Sequence, residues 1–239
     1  MHAGIKAIAL LAAAILLTAC AGGRGERARL LPRDQRAPVL YVALGDSTVE
    51  GIGATSPSAN YVSRLHARLR VVYPEADVVN LGVGGATSAD VVRGQLDRAL
   101  RLRPHLVTLS IGPNDLTGRV PVEDYERNVD RIFRKLTEET RAVVVANLLP
   151  DLAATPRFRG RAAAPAVSRL TVRFNEALAR VARGYGVEVV DLYELSRAEL
   201  PRRPELVAAD GYHPSDLGYA RWAELLWTGV KRRIATPFE

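Results

Sequence analysis

The chain has 239 residues, of which 48% are hydrophobic and 25% charged, a balance typical of a folded globular protein and not of a long disordered chain. Its formal net charge of +7 comes from scattered basic residues, and only 6% of the residues are aromatic. Because no basic cluster is interleaved with aromatic residues, the pattern typical of nucleic-acid binding is missing. We therefore expect one folded domain and no nucleic-acid partner.

The N-terminus has the pattern of an export signal. Residues 1–6 contain one lysine, and residues 7–17 form an unbroken apolar run. A run of this length is too short to span a bilayer comfortably, which favours a signal that is removed after export. We therefore predict a signal peptide over residues 1–19.

The sequence Leu-Thr-Ala-Cys at 17–20 resembles the bacterial lipobox, whose cysteine is lipidated and becomes the first residue of the mature chain. Cys20 is the only cysteine of the protein, so it has no disulfide partner. The alternative is an ordinary secretory signal with an incidental cysteine. The lipobox predicts a lipoprotein of the cell envelope, anchored to a membrane at Cys20 and facing the periplasm or the outer surface.

The segment that follows Cys20 is rich in glycine, arginine and proline. Such a composition favours a flexible connection. We predict a tether over residues 20–38 and a folded domain over residues 39–239.

Beyond residue 38, apolar runs alternate with segments of helical spacing. The predicted strands are Val39–Leu44, Asp77–Leu81, Leu106–Ile111, Ala142–Asn147 and Val187–Leu192. The predicted helices are Tyr61–Val72, Ala89–Leu102, Val122–Thr140, Ala166–Arg183 and Leu217–Ile234. Apolar strands joined by helical crossovers predict a parallel sheet covered on both faces. We therefore expect a three-layer α/β/α sandwich with a five-stranded parallel sheet, which binds ligands at the carboxyl ends of its strands.

Turn-forming residues follow each of the first three predicted strands. The three segments are Gly45-Asp46-Ser47, Asn80-Leu81-Gly82-Val83-Gly84-Gly85 and Gly112-Pro113-Asn114-Asp115. Each one alone is also typical of an ordinary turn. Because parallel strands end at one edge of the sheet, the three together predict a functional site there.

Ser47 needs a base if it is to act as a nucleophile, and the base needs an orienting acid. Three of the four histidines lie in the signal, in an arginine-rich helix, and before the third strand at the opposite edge of the sheet (His2, His66 and His105). His213 is left, and Asp210 precedes it by three residues. A turn between the two would bring the carboxylate to the imidazole, although the segment is also typical of a capped helix start.

Four segments together resemble the motif blocks of the SGNH, or GDSL, hydrolases, in the same order along the chain. They are Gly45-Asp46-Ser47, Asn80-x-Gly82-x-x-Gly85-x-Thr87, Gly112-x-Asn114-Asp115 and Asp210-x-x-His213-Pro214. The resemblance implies a flavodoxin-like sandwich and ester hydrolysis through an acyl-serine. By position it implies that Ser47 is the nucleophile, His213 the general base and Asp210 its partner, and that Gly82 and Asn114 complete the oxyanion hole.

Two positions depart from the family pattern. Thr48 stands where leucine is usual, and Glu50 stands where a small residue is usual. These departures bear on substrate preference and leave the reaction unchanged.

The residue types at these positions suit the chemistry. A tetrahedral intermediate needs donors that are fixed in advance, and the backbone N–H groups of Ser47 and Gly82 with the Asn114 amide can supply them. A glycine at position 82 allows close approach of the main chain and a positive φ. The dispersed histidines predict no metal site, the absence of a P-loop or Gly-x-Gly-x-x-Gly predicts no nucleotide cofactor, and the absence of Gly-x-Ser-x-Gly argues against an α/β-hydrolase.

The long loop Leu149–Pro165 leaves the predicted catalytic edge, and we expect it to wall the acyl or alcohol pocket. The predicted function is hydrolysis of carboxylic esters with short to medium acyl chains, lysophospholipid and aryl esters included, by a monomer. One alternative is an O-acetyl esterase that acts on cell-wall or other carbohydrate. A second is an envelope protein that binds lipid or glycan without catalysis.

Overall fold

The computed structural model describes residues 29–235. Five parallel strands form one sheet in the order β2-β1-β3-β4-β5. The strands are β1 (Leu40–Gly45), β2 (Asp77–Asn80), β3 (Leu106–Ser110), β4 (Val143–Asn147) and β5 (Glu188–Val190). This order is that of the flavodoxin-like sandwich, so the predicted fold class is confirmed.

Helices follow the strands and cover the sheet. They are α1 (Ser47–Glu50), α2 (Tyr61–Val72), α3 (Ser88–Asp90), α4 (Leu96–Leu102), α5 (Pro113–Thr117), α6 (Val122–Glu139), α7 (Ala164–Gly184), α8 (Leu192–Glu199) and α9 (Asp216–Lys231). A π-helical turn, Val91–Gln95, joins α3 to α4, and two short 3₁₀ turns lie at Leu152–Ala154 and Pro204–Leu206.

Alternate residues of each strand enter two separate cores. Val42 and Leu44 pack with α4, α6 and α7 on one face of the sheet. Tyr41 and Ala43 pack with α2 and α9 on the other face. The alternation follows from the two-residue period of a strand, and burial on both faces explains why β1 reads as a continuous apolar run.

The predicted strand Val187–Leu192 extends too far. In the structure β5 ends at Val190, because the Asp191 carboxylate accepts a hydrogen bond from the backbone N–H of Glu194 (2.9 Å) and begins α8. This is the N-cap geometry that aspartate favours. The predicted single helix Ala89–Leu102 is also interrupted by the π-helical turn.

Part of the predicted tether is packed against the domain. Leu31 is 2% exposed, and its backbone N–H donates to the Arg233 carbonyl (2.8 Å). The Tyr73 hydroxyl donates to the Pro32 carbonyl (2.7 Å). The folded body therefore includes residues before the predicted boundary at residue 39. The predicted signal peptide and Cys20 lie outside the described residues.

None of the helices between residues 29 and 235 is long and apolar enough to cross a membrane.

Candidate active site

Ser47 lies at the carboxyl end of β1, where the chain turns directly into α1. Asp46 is the N-cap of α1, and its carboxylate accepts hydrogen bonds from the backbone N–H and the hydroxyl of Thr48. Gly45 adopts φ +146°, and a Cβ there would lie 1.9 Å from the Ser110 carbonyl oxygen. Only glycine fits this turn, which sets the serine at the edge of the sheet.

The structure brings Ser47, His213 and Asp210 together. The Ser47 Oγ lies 2.9 Å from His213 Nε2, and His213 Nδ1 lies 2.5 Å from Asp210 Oδ2. With Nδ1 protonated and donating to Asp210, Nε2 is left to accept the serine proton. This is the geometry that nucleophile, base and orienting acid require.

The backbone holds Asp210 in place from the other side. Its Oδ1 accepts from the N–H groups of Tyr212 and His213, both at 2.9 Å. Partial burial acts to raise the pKa of Asp210, but these hydrogen bonds and the His213 ring outweigh it and lower the pKa below its usual value. Asp210 therefore stays ionised beside the imidazole, although 45% of its side chain is exposed.

Gly82 lies beside α1, but the positive φ expected for it is not observed. The position needs glycine because a Cβ would lie 2.5 Å from the Glu50 nitrogen. Its N–H donates to Asn80 Oδ1 (2.9 Å), so binding an oxyanion requires that Asn80 release or share this donor.

Asn114 is the third predicted oxyanion donor. One hydrogen of its side-chain amide goes to the Ala86 carbonyl (2.9 Å), and an amide has a second hydrogen to donate. As the first residue of α1, Ser47 has a backbone N–H without an intrahelical acceptor. The edge thus offers the Ser47 N–H and the Asn114 amide to a developing oxyanion.

A buried carboxylate ties the second motif block to the third. Asp115 is fully buried. It accepts from the backbone N–H of Ser88 (2.9 Å) and from the Ser88 hydroxyl (2.5 Å), and Asn128 donates to the same hydroxyl. This contact fixes the start of α3 relative to the helix that carries Asn114.

Gln95 supports the turn at Gly45 that precedes Ser47, and it was not among the predicted site residues. Its Oε1 accepts from the Gly45 N–H (2.9 Å), and its Nε2 donates to the Gly45 carbonyl (2.8 Å). Gln95 ends the π-helical turn, a feature that often lies at functional sites. The signal in the sequence is a polar residue among the apolar positions Val91, Leu96 and Ala99.

Asp46 is buried next to Ser47 with an incomplete set of hydrogen bonds. Only 1% of the Asp46 surface is exposed. Its Oδ2 has no hydrogen-bond partner among the described residues. Burial raises the pKa of Asp46 from 3.8 to about 6, although the hydrogen bonds from Thr48 and the nearby His213 act in the opposite direction. A carboxylate here is costly when ionised.

Asp46→Asn should change how stability depends on pH. Between pH 4 and pH 6 the folded wild type binds more protons than the unfolded chain, so its free energy of unfolding falls as pH rises through this window. The variant retains an oxygen acceptor for Thr48 but has no charge. We expect the stability of the variant relative to wild type to increase by up to about 3 kcal/mol between pH 4 and pH 7.

Urea unfolding of both proteins at several pH values measures this difference. An unpaired Asn amide would change the free energy of unfolding of the variant by an amount that does not depend on pH. The test is therefore how the difference in free energy of unfolding between the two proteins changes with pH. A difference that stays constant from pH 4 to pH 7 would contradict a raised Asp46 pKa.

The departure at Glu50 has a structural explanation. Its Oε2 accepts from the backbone N–H of Gly84 (2.5 Å), and a Cβ on Gly84 would lie 2.8 Å from that oxygen. Glu50 therefore connects α1 to the loop that carries Gly82.

The predicted loop Leu149–Pro165, whose last two residues belong to α7 in the structure, packs on the segment that carries His213. The Arg157 backbone N–H donates to the Gly211 carbonyl (2.9 Å), and its guanidinium carbon lies 4.9 Å from the centre of the Tyr212 ring, which Phe158 meets edge-on. Leu152 of the same loop lines an apolar cavity whose wall also includes His213. The loop therefore both supports the histidine and walls a pocket beside it.

A family model described as the GDSL-like Lipase/Acylhydrolase family matches residues 43–221. The chain is 30% identical over 225 residues to the GDSL-like esterase Rv1075c of Mycobacterium tuberculosis. The aligned part covers 91% of this chain and 69% of that protein.

Solved structures share the fold. The chain matches LAE5, an alpha/beta hydrolase enzyme from the metagenome of Lake Arreo, Spain, with a TM-score of 0.67 and 21% identity, over 82% of this chain and 97% of that one. It matches Axe2, an acetylxylan esterase from Geobacillus stearothermophilus, with a TM-score of 0.64 and 20% identity, over 81% of this chain and 93% of that one. At these identities the likeness concerns the fold alone. The family model and the mycobacterial relative go further: the chain belongs to the GDSL-like lipase/acylhydrolase family and is a carboxylic ester hydrolase.

Proposed function

We propose that the protein hydrolyses carboxylic esters with short to medium acyl chains through an acyl intermediate on Ser47. The observation that carries this proposal is the chain of contacts from Ser47 Oγ to His213 Nε2 (2.9 Å) and from His213 Nδ1 to Asp210 (2.5 Å). A serine hydroxyl is a weak nucleophile until an adjacent base takes its proton. The contacts supply that base and hold it in the required tautomer.

In the first half-reaction, Ser47 Oγ bonds to the carbonyl carbon while its proton passes to His213 Nε2. The electron pair of the carbonyl moves to the oxygen, where the Ser47 N–H and the Asn114 amide stabilise the negative charge, with Gly82 as the third donor once Asn80 releases or shares it. The intermediate then collapses and breaks the bond to the alcohol, which leaves with the proton from His213. Asp210 stabilises the imidazolium between the two transfers.

In the second half-reaction, water takes the place of the alcohol. His213 accepts a proton from the water as its oxygen bonds to the acyl carbon. The second tetrahedral intermediate expels Ser47, which regains its proton from His213. The products are the free acid and the resting enzyme, so atoms and charge balance over the cycle.

A series of p-nitrophenyl esters from acetate to decanoate, run beside acetylated xylan and acetylated peptidoglycan, tests the proposal. We expect turnover of the synthetic esters with the highest kcat/KM between short and medium chains. Turnover of the acetylated glycans alone would instead favour the alternative function, an O-acetyl esterase. The likeness of the fold to an acetylxylan esterase makes this alternative worth testing. Absence of turnover on every ester would reject the proposal.

We also propose that the protein is a lipoprotein of the cell envelope, on the basis of the Leu-Thr-Ala-Cys sequence at 17–20. Lipid chains on Cys20 would supply stable anchoring where two or more are attached. Cys20→Ser should move the protein from the membrane fraction to the soluble fraction, whereas the neighbouring change Ala21→Ser should leave it in place. Equal membrane association of the two variants would reject the anchor.

A further inference from the structure

The loop between β2 and α3 is tied to α1 by two side chains. Asn80 Nδ2 donates to the Val49 carbonyl (2.6 Å), and the Gly84 N–H donates to Glu50 Oε2 (2.5 Å). The acceptor in the second contact is a carboxylate, and hydrogen bonds to a charged group are stronger than those between neutral groups. The two contacts hold Gly82, which lies between them in the chain, against α1.

The main chain on both sides of the Glu50 contact bears on oxyanion binding. The Gly82 N–H, the donor that the family resemblance implies, donates to Asn80 Oδ1 in the structure. Gly85 adopts φ +76°, and its N–H has no hydrogen-bond acceptor among the described residues. Donors to an oxyanion are effective because they are fixed in advance. The contact at Gly84 fixes the stretch that contains both amides.

We propose that Glu50 is a positioning residue for the hydrolysis: its carboxylate holds the loop at Gly84 and so keeps the main-chain donors in place for the tetrahedral intermediate. This role rests on the esterase function proposed above. A small residue, which is usual at position 50 in the family, has no carboxylate to make the contact. Glu50 acts through the loop and not on the substrate. Its removal should therefore weaken an interaction that matters in the transition state, which lowers kcat and leaves KM nearly unchanged.

Glu50→Ala removes the acceptor and is the first test. Because Glu50 is exposed, the change should cost little stability. We expect kcat on p-nitrophenyl butyrate to fall about tenfold to hundredfold, the scale of loss when catalytic groups are displaced by about 1 Å, with KM changed less than about threefold. Glu50→Gln retains an oxygen that can accept from the Gly84 N–H and should recover most of the lost kcat.

Glu75→Ala is the matched control. Glu75 is an exposed glutamate just before β2, at the opposite edge of the sheet. Its replacement should leave kcat and KM at the wild-type values.

Gly84→Ala tests the same contact from the other side. The φ of Gly84 is not positive, and the nearest atom that a Cβ there would meet is Glu50 Oε2, at 2.8 Å. The added methyl group should push the carboxylate away and lower kcat as Glu50→Ala does. In the double variant there is no carboxylate to displace, so its kcat should equal that of Glu50→Ala within about twofold. Gly84→Ala alone decides the matter if Glu50→Ala does not fold.

A boronic acid distinguishes a positioning role from a purely structural one. Phenylboronic acid forms a tetrahedral adduct with a reactive serine and places an oxygen where the oxyanion develops. Its inhibition constant should rise in each variant by the factor by which kcat/KM falls. The melting temperature should stay at the wild-type value.

Three results would overturn this role for Glu50. One is an unchanged kcat in Glu50→Ala, and another is a loss that appears in KM alone. The third is an equal loss from Gly84→Ala with and without the Glu50 carboxylate, which would assign the effect to the methyl group. Failure of the esterase function itself looks different, because the wild type would then turn over no ester at all.

Discussion

Ser47→Ala should lower kcat on a p-nitrophenyl ester by about 10⁶-fold, the scale of loss when a serine nucleophile is removed. The alanine variant has no Oγ to form the acyl intermediate, so only the oxyanion donors and substrate binding still contribute. The fold should be unaffected, because the hydrogen bond that the Ser47 hydroxyl makes in the structure is the one to His213. Steady-state kinetics and a thermal unfolding scan measure the two effects.

Ser56→Ala is a control for this change. Ser56 lies in the exposed loop after α1, and its hydroxyl contacts only Ser58. Its activity should match the wild type. If Ser47→Ala retains more than a hundredth of the wild-type kcat, Ser47 is not the nucleophile. If the melting temperature of Ser47→Ala falls by many degrees, the loss of activity would be due to unfolding.

Asp210→Asn should lower kcat by about 10³ to 10⁴-fold. The asparagine oxygen can still accept from the backbone N–H groups of Tyr212 and His213, so the segment should retain its shape. What changes is the contact with His213 Nδ1 (2.5 Å in the wild type). A neutral amide stabilises the imidazolium less well, and its NH₂ group favours the tautomer in which Nε2 carries the proton and cannot accept from Ser47.

The partial exposure of the Asp210 side chain, 45%, places the expected loss below that of a fully buried triad. Asp97→Asn is the matched control, since Asp97 is an exposed aspartate on α4 whose contact is an ion pair with Lys135. It should lower kcat less than threefold. A loss below tenfold in Asp210→Asn would show that His213 does not depend on this carboxylate.

The fold was predictable because its signals repeat along the chain. Five apolar runs with helical segments between them determine a parallel sheet, and parallel strands bring Ser47, Gly82 and Asn114 to one edge. The contact of His213 and Asp210 with Ser47 was predictable because few histidines compete for the place beside the serine. Such inferences need residue types and strand ends but no side-chain coordinates.

The rest depends on contacts between distant segments. Gln95 reaches Gly45 across 50 residues because a π-helical turn shifts its register, and periodicity alone does not reveal that shift. The glycine at position 82 is required by the approach of Glu50 and not by a positive φ, which only the packed backbone shows. Helix α8 was missed because a single cap residue, Asp191, ends the strand early.

Covalent labelling tests the central claim most directly. Phenylmethylsulfonyl fluoride reacts with a serine that an adjacent base activates, and intact-mass and peptide mass spectrometry locate the adduct. We expect one sulfonyl group on the peptide that contains Ser47, formed in proportion to the loss of esterase activity and absent in His213→Ala. Loss of activity with the adduct on another residue, or equal labelling of Ser47 without His213, would contradict the claim.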